Sequence, residues 1–272
     1  MSTIGDHQDI LATFRLPGRV ALVTGAGKGI GAAIAVALAE AGADVALVAR
    51  TPADLEAVAA EVASRGHQAL VLPADVSDLG GLAALVETTV DRLGGLDILV
   101  NNAGGSVSAP FLDTTVDQLQ RSLNFNVVSP FELSRLAAPH LLARGGGVII
   151  NIGSVAGQKA TRGSFTHSLT KSALGQLTRL MAVELAPRIR VNAVLPGAVE
   201  TDALRWFLSQ QAPGVREAMI ARTPMRRNGT PDDIAAAVLY LASPAAAWVT
   251  GKLLEVDGAA AAELIPNTWP DP

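Results

Sequence analysis

The run Thr24-Gly25-Ala26-Gly27-Lys28-Gly29-Ile30-Gly31 constrains this chain more than any other. It sits between a short apolar stretch at 20–24 and a helical pattern at 30–41. Glycines allow a tight turn and a close approach of backbone to a phosphate. The helix that starts there offers free N–H groups and the positive end of its dipole. A strand, a glycine turn and a helix in this order predict a nucleotide-binding unit, against the plainer alternative of a structural turn.

The same alternation continues along the chain. Apolar runs at 44–49, 68–73, 96–100, 148–152, 189–194 and 252–256 read as further strands. Helical patterns fall at 52–64, 79–93, 115–143 and 164–186, with Thr51 placed to cap the first of them and Pro52 to begin it. Strands apolar on both faces that alternate with helices predict an α/β fold of Rossmann type. It is a doubly wound, seven-stranded parallel sheet flanked by helices on both faces. No linker divides the 272 residues, so 1–272 reads as a single domain. Residues 1–17 form an N-terminal arm, 198–230 a mostly helical insertion suited to a substrate lid, and 260–272 a C-terminal tail.

Composition narrows the function. The chain has no Cys, which excludes disulfides, thiolate metal sites and a cysteine nucleophile. His7, His67 and His140 lack convergent ligand spacing, so no metal site is expected. A net charge of −4 gives no basic field for nucleic acid. The mean hydropathy of +0.34 is high, but Gly, Asn and Ser break the apolar runs well short of about 18 residues. A cytoplasmic protein without a membrane span or a secretory leader is expected. The abundance of apolar residues favours a subunit interface.

The residues after the second strand bear on the cofactor. An NAD site wants a carboxylate there for the adenosine ribose. The chain offers Val48-Ala49-Arg50-Thr51, with Lys28 as a second cation at the glycine turn. Two cations and no acid favour a 2′-phosphate, hence NADP(H). NAD(H) stays open, because Arg50 at a helix edge is also an ordinary solvated charge. Asp75 and Val76, after the third strand, are placed at the adenine edge.

With its motifs in order, the chain resembles the short-chain dehydrogenase/reductase family over residues 17–259. The glycine turn is TGAGKGIG, and Asn101-Asn102-Ala103-Gly104 matches the family's motif after the fourth strand. The resemblance implies that Gly25, Gly27, Gly29, Ile30, Gly31, Asn102, Ala103 and Gly104 hold the cofactor. It adds Lys171, Pro196, Gly197, Val199 and Thr201 from the later segments. Asn126 in FNVVSPF, Ser154 in INIGSVAG and Lys171 in TKSAL fall where the family keeps its catalytic asparagine, serine and lysine. The segments PFELSRLAAPHL and PGAVETDAL are most similar to those of bacterial 7-alpha-hydroxysteroid dehydrogenases. The family is commonly homotetrameric, which implies a homotetramer or homodimer built on the two long helices and the last strand.

One position departs from the pattern. The family's acid/base tyrosine stands thirteen residues after the serine and four before the lysine, and both counts end on His167. The single Tyr, Tyr240, lies in DDIAAAVLYLAS and reads as helix packing. His167 and Lys171 share a helix face. Imidazole suits general acid–base work. It is, however, shorter than phenol by roughly 2 Å, and proton transfer needs an approach of about 2.6–3.2 Å. The Lys171 ammonium should also keep the ring neutral.

Three readings follow. In the first, the chain is an NADP(H)-dependent oxidoreductase that interconverts a bulky apolar secondary alcohol and a ketone, with His167 or a water on it as the acid. In the second, it is a non-redox isomerase, dehydratase or cyclase on the same scaffold. In the third, it is a nucleotide-binding protein with impaired turnover. The substrate would lie above the nicotinamide, among Ser106, Val107, Gln158, Trp206, Phe207 and Met219.

Overall fold

The computed structural model describes residues 9–160, 162–210 and 212–260. Seven strands form one sheet: β1 (Arg19–Thr24), β2 (Ala43–Ala49), β3 (Ala69–Pro73), β4 (Ile98–Asn101), β5 (Gly147–Ile152), β6 (Ile189–Pro196) and β7 (Leu253–Val256). The helices are α1 (Gly29–Glu40), α2 (Pro52–Ser64), α3 (Leu82–Leu93), α4 (Val116–Leu123), α5 (Ser129–Ala143), α6 (Phe165–Leu185), α7 (Asp202–Ser209), α8 (Val215–Arg222) and α9 (Pro231–Ala242).

The sheet order is β3-β2-β1-β4-β5-β6-β7, and every pairing is parallel. The chain winds outward from β1 to β3, then crosses back to lay β4 on the other side of β1. That reversal leaves a crevice beyond the carboxyl ends of β1 and β4, where open α/β sheets bind ligands.

The period-2 pattern of β1 shows why both faces are covered. Ala21 and Val23 enter a core with Ile34 and Leu38 of α1, Leu55 of α2 and Val238 of α9. Leu22 enters the opposite core with Leu82 and Val86 of α3, Leu133 and Leu141 of α5 and Met181 of α6. Each fully buried Val, Leu or Ile among them contributes about 1.5–3 kcal/mol.

Several elements differ from the expectation. Thr51 precedes α2 in extended conformation with Pro52 in the first turn, but its hydroxyl makes no capping bond. Asp54 supplies the first-turn negative charge instead. The pattern at 79–93 begins as a 3-10 turn (Leu79–Gly81) capped by Asp78, before α3. The single helix expected over 115–143 is divided. Between α4 and α5 lies a π-helical turn, Asn124–Val128. Asn126 within it donates to the carbonyl of Ser122 four residues back at 2.9 Å, which competes with the regular backbone ladder.

The arm is docked at its inner end. Leu16 is buried and its N–H donates to Ala41 O at 2.7 Å. Phe14 packs on Tyr240 with ring centroids 6.3 Å apart, so the single tyrosine is a packing residue of α9. Residues 1–8 of the arm and 261–272 of the tail lie outside the described residues. Among the described residues, no helix is long and apolar enough to cross a membrane.

Candidate active site

The glycine turn and the β4 motif are locked into one structure. Thr24 Oγ1 accepts hydrogen bonds from the N–H groups of Asn102 and Ala103, each at 3.0 Å. The Asn102 amide donates to Thr24 O at 2.9 Å and to Gly25 O at 3.2 Å. Gly25 has φ +65°, and a side chain at Gly31 would place its Cβ 2.2 Å from Gly25 O. The turn therefore needs glycine at both ends, one for backbone conformation and one for space. Lys28 at the N-cap of α1 makes no side-chain capping bond. The first N–H groups of α1 thus face the crevice without a side-chain acceptor, which suits a pyrophosphate.

Two adjoining cavities run along this crevice. The first, about 260 Å³, is lined by Gly25, Gly27, Lys28, Arg50, Asp54, Asp75, Val76, Ala103 and Gly104 among others. The second, about 480 Å³, is lined by Gly29, Ile30, Gly31, Asn102, Ser154, His167, Lys171, Pro196, Gly197, Val199 and Thr201 among others. They share Gly25, Lys28 and Gly104. Every candidate cofactor residue lies on one of the two walls, and the residues present fit a dinucleotide.

At the adenosine end one expectation changes. Lys28 does not stand as an unpaired cation: its Nζ lies 3.2 Å from Asp54 Oδ2. Asp54, which sequence reasoning passed over, therefore brings a carboxylate to this cavity. It comes from the first turn of α2 rather than from the strand end, where the acid was sought. Arg50 is exposed and has no ion-pair partner among the described residues. The Asp75 carboxylate accepts from Ser77 N at 2.9 Å and Ser77 Oγ at 2.7 Å. Those bonds, with a smaller contribution from Arg50, hold its carboxyl below the usual range.

At the other end, α6 brings His167 and Lys171 to the groove one turn apart, opposite Ser154 from the end of β5. Lys171 is 6% exposed and donates to Ile152 O at 2.7 Å. Burial pushes its pKa down to about 8. Ser154 Oγ accepts from Ala156 N at 3.1 Å, leaving its own proton free to donate. The His167 ring has no hydrogen-bond partner among the described residues. Its pKa is pushed down to about 4, chiefly by burial and secondarily by Lys171. The neutral ring expected from the sequence is present, but lysine is the lesser cause.

Asn126 is fully buried and does not line the groove. Its Oδ1 accepts from Gly105 N at 3.0 Å and its Nδ2 donates to Gly105 O at 2.8 Å. A side chain at Gly104 would meet Asn126 Oδ1 and Lys171 Nζ at 2.9 Å each. Asn126 thus fixes the Gly104–Gly105 segment that follows β4, beside Lys171. Behind it lies a buried polar chain absent from the sequence expectation. Asn101 Nδ2 donates to Asn151 Oδ1 at 2.9 Å and Ser134 Oγ at 3.1 Å, and Asn151 Nδ2 donates to Thr178 Oγ1 at 2.9 Å. It ties β4 and β5 to α5 and α6. The signal was legible as two asparagines inside otherwise apolar strands.

The expected substrate wall is only partly assembled. The lid side of the groove consists of Asp202, Ala203 and Leu204 from the start of α7. Trp206, Phe207 and Met219 are not among the lining residues. Nor are Ser106, Val107 and Gln158, which line neighbouring cavities. Of α7, which Thr201 caps through Leu204 N, the first residues Asp202, Ala203 and Leu204 line the groove.

Comparison with known proteins agrees with this geometry. A family model described as enoyl-(acyl carrier protein) reductase matches residues 25–259. An uncharacterized oxidoreductase of Mycobacterium tuberculosis is 45% identical over 250 residues, covering 92% of this chain and 94% of the relative. The 7alpha-hydroxysteroid dehydrogenase of Escherichia coli K12 is 41% identical over 256 residues, covering 92% and 97%. A solved 7 alpha-hydroxysteroid dehydrogenase, complexed with NADH and 7-oxo glycochenodeoxycholic acid, superposes with a TM-score of 0.89 at 41% identity. The match covers 94% of this chain and 99% of that one.

Proposed function

The chain belongs to the short-chain dehydrogenase/reductase family of NAD(P)-dependent oxidoreductases acting on alcohols and ketones, and from that premise we propose that it interconverts a bulky apolar secondary alcohol and its ketone, with His167 in the place of the acid/base tyrosine. The observation that carries this reading is the groove itself. Ser154, His167 and Lys171 line the same cavity as the glycine turn.

A nicotinamide dinucleotide, when bound, supplies a hydride to the carbonyl carbon or takes one from the alcohol. Gly25, Gly27, Gly29, Ile30 and Gly31 would hold its pyrophosphate. Asp75 and Val76 would meet its adenine. Ala103 would lie beside the adenosine half, Asn102 and Gly104 with Pro196, Gly197, Val199 and Thr201 would flank its nicotinamide end, and Lys171 would hold the adjoining ribose. Ser154 donates its hydroxyl proton toward the substrate oxygen. The neutral His167 ring carries an N–H at one nitrogen and a lone pair at the other. It gives its proton to the developing alkoxide and takes another from water at the second nitrogen, so no imidazolium is required. Asn126 positions Gly105 and, through it, this wall of the groove.

The test is consumption of NADPH with a panel of bulky ketones, comparing the chain with His167→Ala and His167→Tyr. Turnover that falls in the alanine variant and persists in the tyrosine variant supports the reading. A chain that reduces nothing while His167→Tyr turns over overturns it. Substrate conversion without nicotinamide consumption favours the non-redox alternative.

We place the cofactor preference with NADP(H), on the exposed Arg50 at the end of β2. A second reading, NAD(H), is favoured by Asp54, which neutralises Lys28 and brings a carboxylate to the adenosine cavity. The Lys28 end of that pair is exposed and Asp54 is half-buried, so the pair is worth about 1 kcal/mol and leaves Lys28 able to turn to a phosphate. A homo-oligomer is also proposed. Its support is the exposed apolar side chains of α5 and α6, namely Phe131, Leu169, Leu180 and Val183. Light scattering on the purified chain tests it.

A further inference from the structure

Lys171 is a buried cation without a counter-charge. Its only hydrogen-bond partner among the described residues is the carbonyl of Ile152, and no carboxylate pairs with it. The other charged groups on the groove walls are Lys28, held by Asp54, and Asp202, held by Arg205. His167, on the same helix, is neutral and unpartnered. An ammonium in such a place is poorly solvated and gives up its proton easily. Its pKa near 8 agrees with that expectation. Lys171 lines a cavity of about 480 Å³ together with Ser154 and His167.

We propose that Lys171 is a nucleophilic amine that captures aldehydes or ketones as an imine in this groove, with His167 as its proton carrier. The amine lone pair attacks the carbonyl carbon and forms a C–N bond, while the C=O π pair passes to oxygen. That oxygen takes a proton and becomes the hydroxyl of a carbinolamine. The C–O bond then breaks as the hydroxyl takes a second proton and leaves as water. Counted from the ammonium form, carbonyl plus R–NH₃⁺ gives a protonated imine plus water, with no oxidant or reductant. The ring of His167 supplies and recovers protons at its two nitrogens during these transfers.

The reaction is tested on the full chain with no nicotinamide present. Its failure is therefore separable from failure of the redox reading, which is measured as NADPH consumption. The protein is treated with benzaldehyde and cyanoborohydride at about pH 7.5. Benzylated lysines are then mapped by peptide mass spectrometry. Lys159 and Lys252, which line neither of the two cavities, serve as internal references. The expected result is that Lys171 is benzylated at least tenfold faster than the references, and that saturating NADPH suppresses this labelling and not theirs. Lys171 labelled no faster than the references overturns the proposal, and so does labelling that NADPH leaves unchanged. Lys171→Arg, which keeps the cation, should lose the fast-labelling site, while His167→Phe should slow capture by Lys171 without changing the references. Unchanged capture in His167→Phe overturns the role given to the imidazole.

Discussion

Gly31→Ala offers a sharp test of the glycine turn. The added Cβ would lie 2.2 Å from Gly25 O, 2.5 Å from Asn102 Nδ2 and 2.8 Å from Gly25 C. Two of those atoms are backbone and cannot swing away. The third belongs to the amide that bonds Thr24 O and Gly25 O. Relief by moving Asn102 loses two hydrogen bonds at about 1 kcal/mol each. The remaining overlap costs about 1–3 kcal/mol. The sum is about 3–5 kcal/mol, a large part of a stability of about 5–15 kcal/mol. Urea unfolding should show that loss. Titration with NADPH, followed by its fluorescence, should show affinity weakened more than tenfold in whatever protein stays folded. Gly80→Ala is the control: its nearest atom would be Asp78 Oδ1 at an ordinary 3.4 Å, and its cost should stay within about 0.5 kcal/mol. If Gly31→Ala matched the control in both assays, the account of a turn closed against Asn102 would be refuted.

Other outcomes follow from the same structure. Arg50→Asp should shift the preference from NADPH toward NADH in paired kcat/KM measurements; an unchanged ratio would contradict the role given to Arg50. Asp97 is 2% exposed and accepts from Arg19 at 2.7 Å, Val20 N at 3.0 Å and Arg144 at 3.2 Å. Asp97→Ala should therefore cost about 2–3 kcal/mol in urea unfolding. His167 has its folded pKa depressed to about 4 from 6.5. Below pH 6.5 the unfolded chain takes up a proton that the folded chain refuses, so stability present above pH 6.5 falls as pH drops toward 4, by about 3 kcal/mol in all. His167→Phe should remove that part of the pH dependence, read as the difference between the two unfolding curves at each pH.

The sheet was legible because its strands are apolar on both faces and punctuated by glycine, features that depend on local sequence. The positions of Ser154, His167 and Lys171 were legible because spacing on one helix and one strand end is preserved in the fold. What the sequence hid was pairing across space. Asp54 reads as an ordinary first-turn acid of α2 until the fold sets it 3.2 Å from Lys28. Asn126 reads as a helical residue until its amide is seen holding Gly105, with the helix widened around it. Trp206 and Phe207 drew attention by size, but in the fold it is the first residues of α7, Asp202, Ala203 and Leu204, that line the groove. The depression of the His167 pKa was expected from its charged neighbour, whereas burial, which no local pattern reports, is the larger cause.

The central claim is that a neutral His167 handles the proton of the carbonyl–alcohol step. The most direct measurement is kcat/KM for NADPH-dependent reduction of a bulky ketone across pH 5–8, in the unmodified chain and in His167→Ala. The account predicts a profile for the unmodified chain with no break near the ordinary histidine value of about 6.5, and a loss of at least about a hundredfold in the alanine variant. Equal rates in the two proteins, or a break near 6.5 that vanishes in His167→Ala, would contradict it.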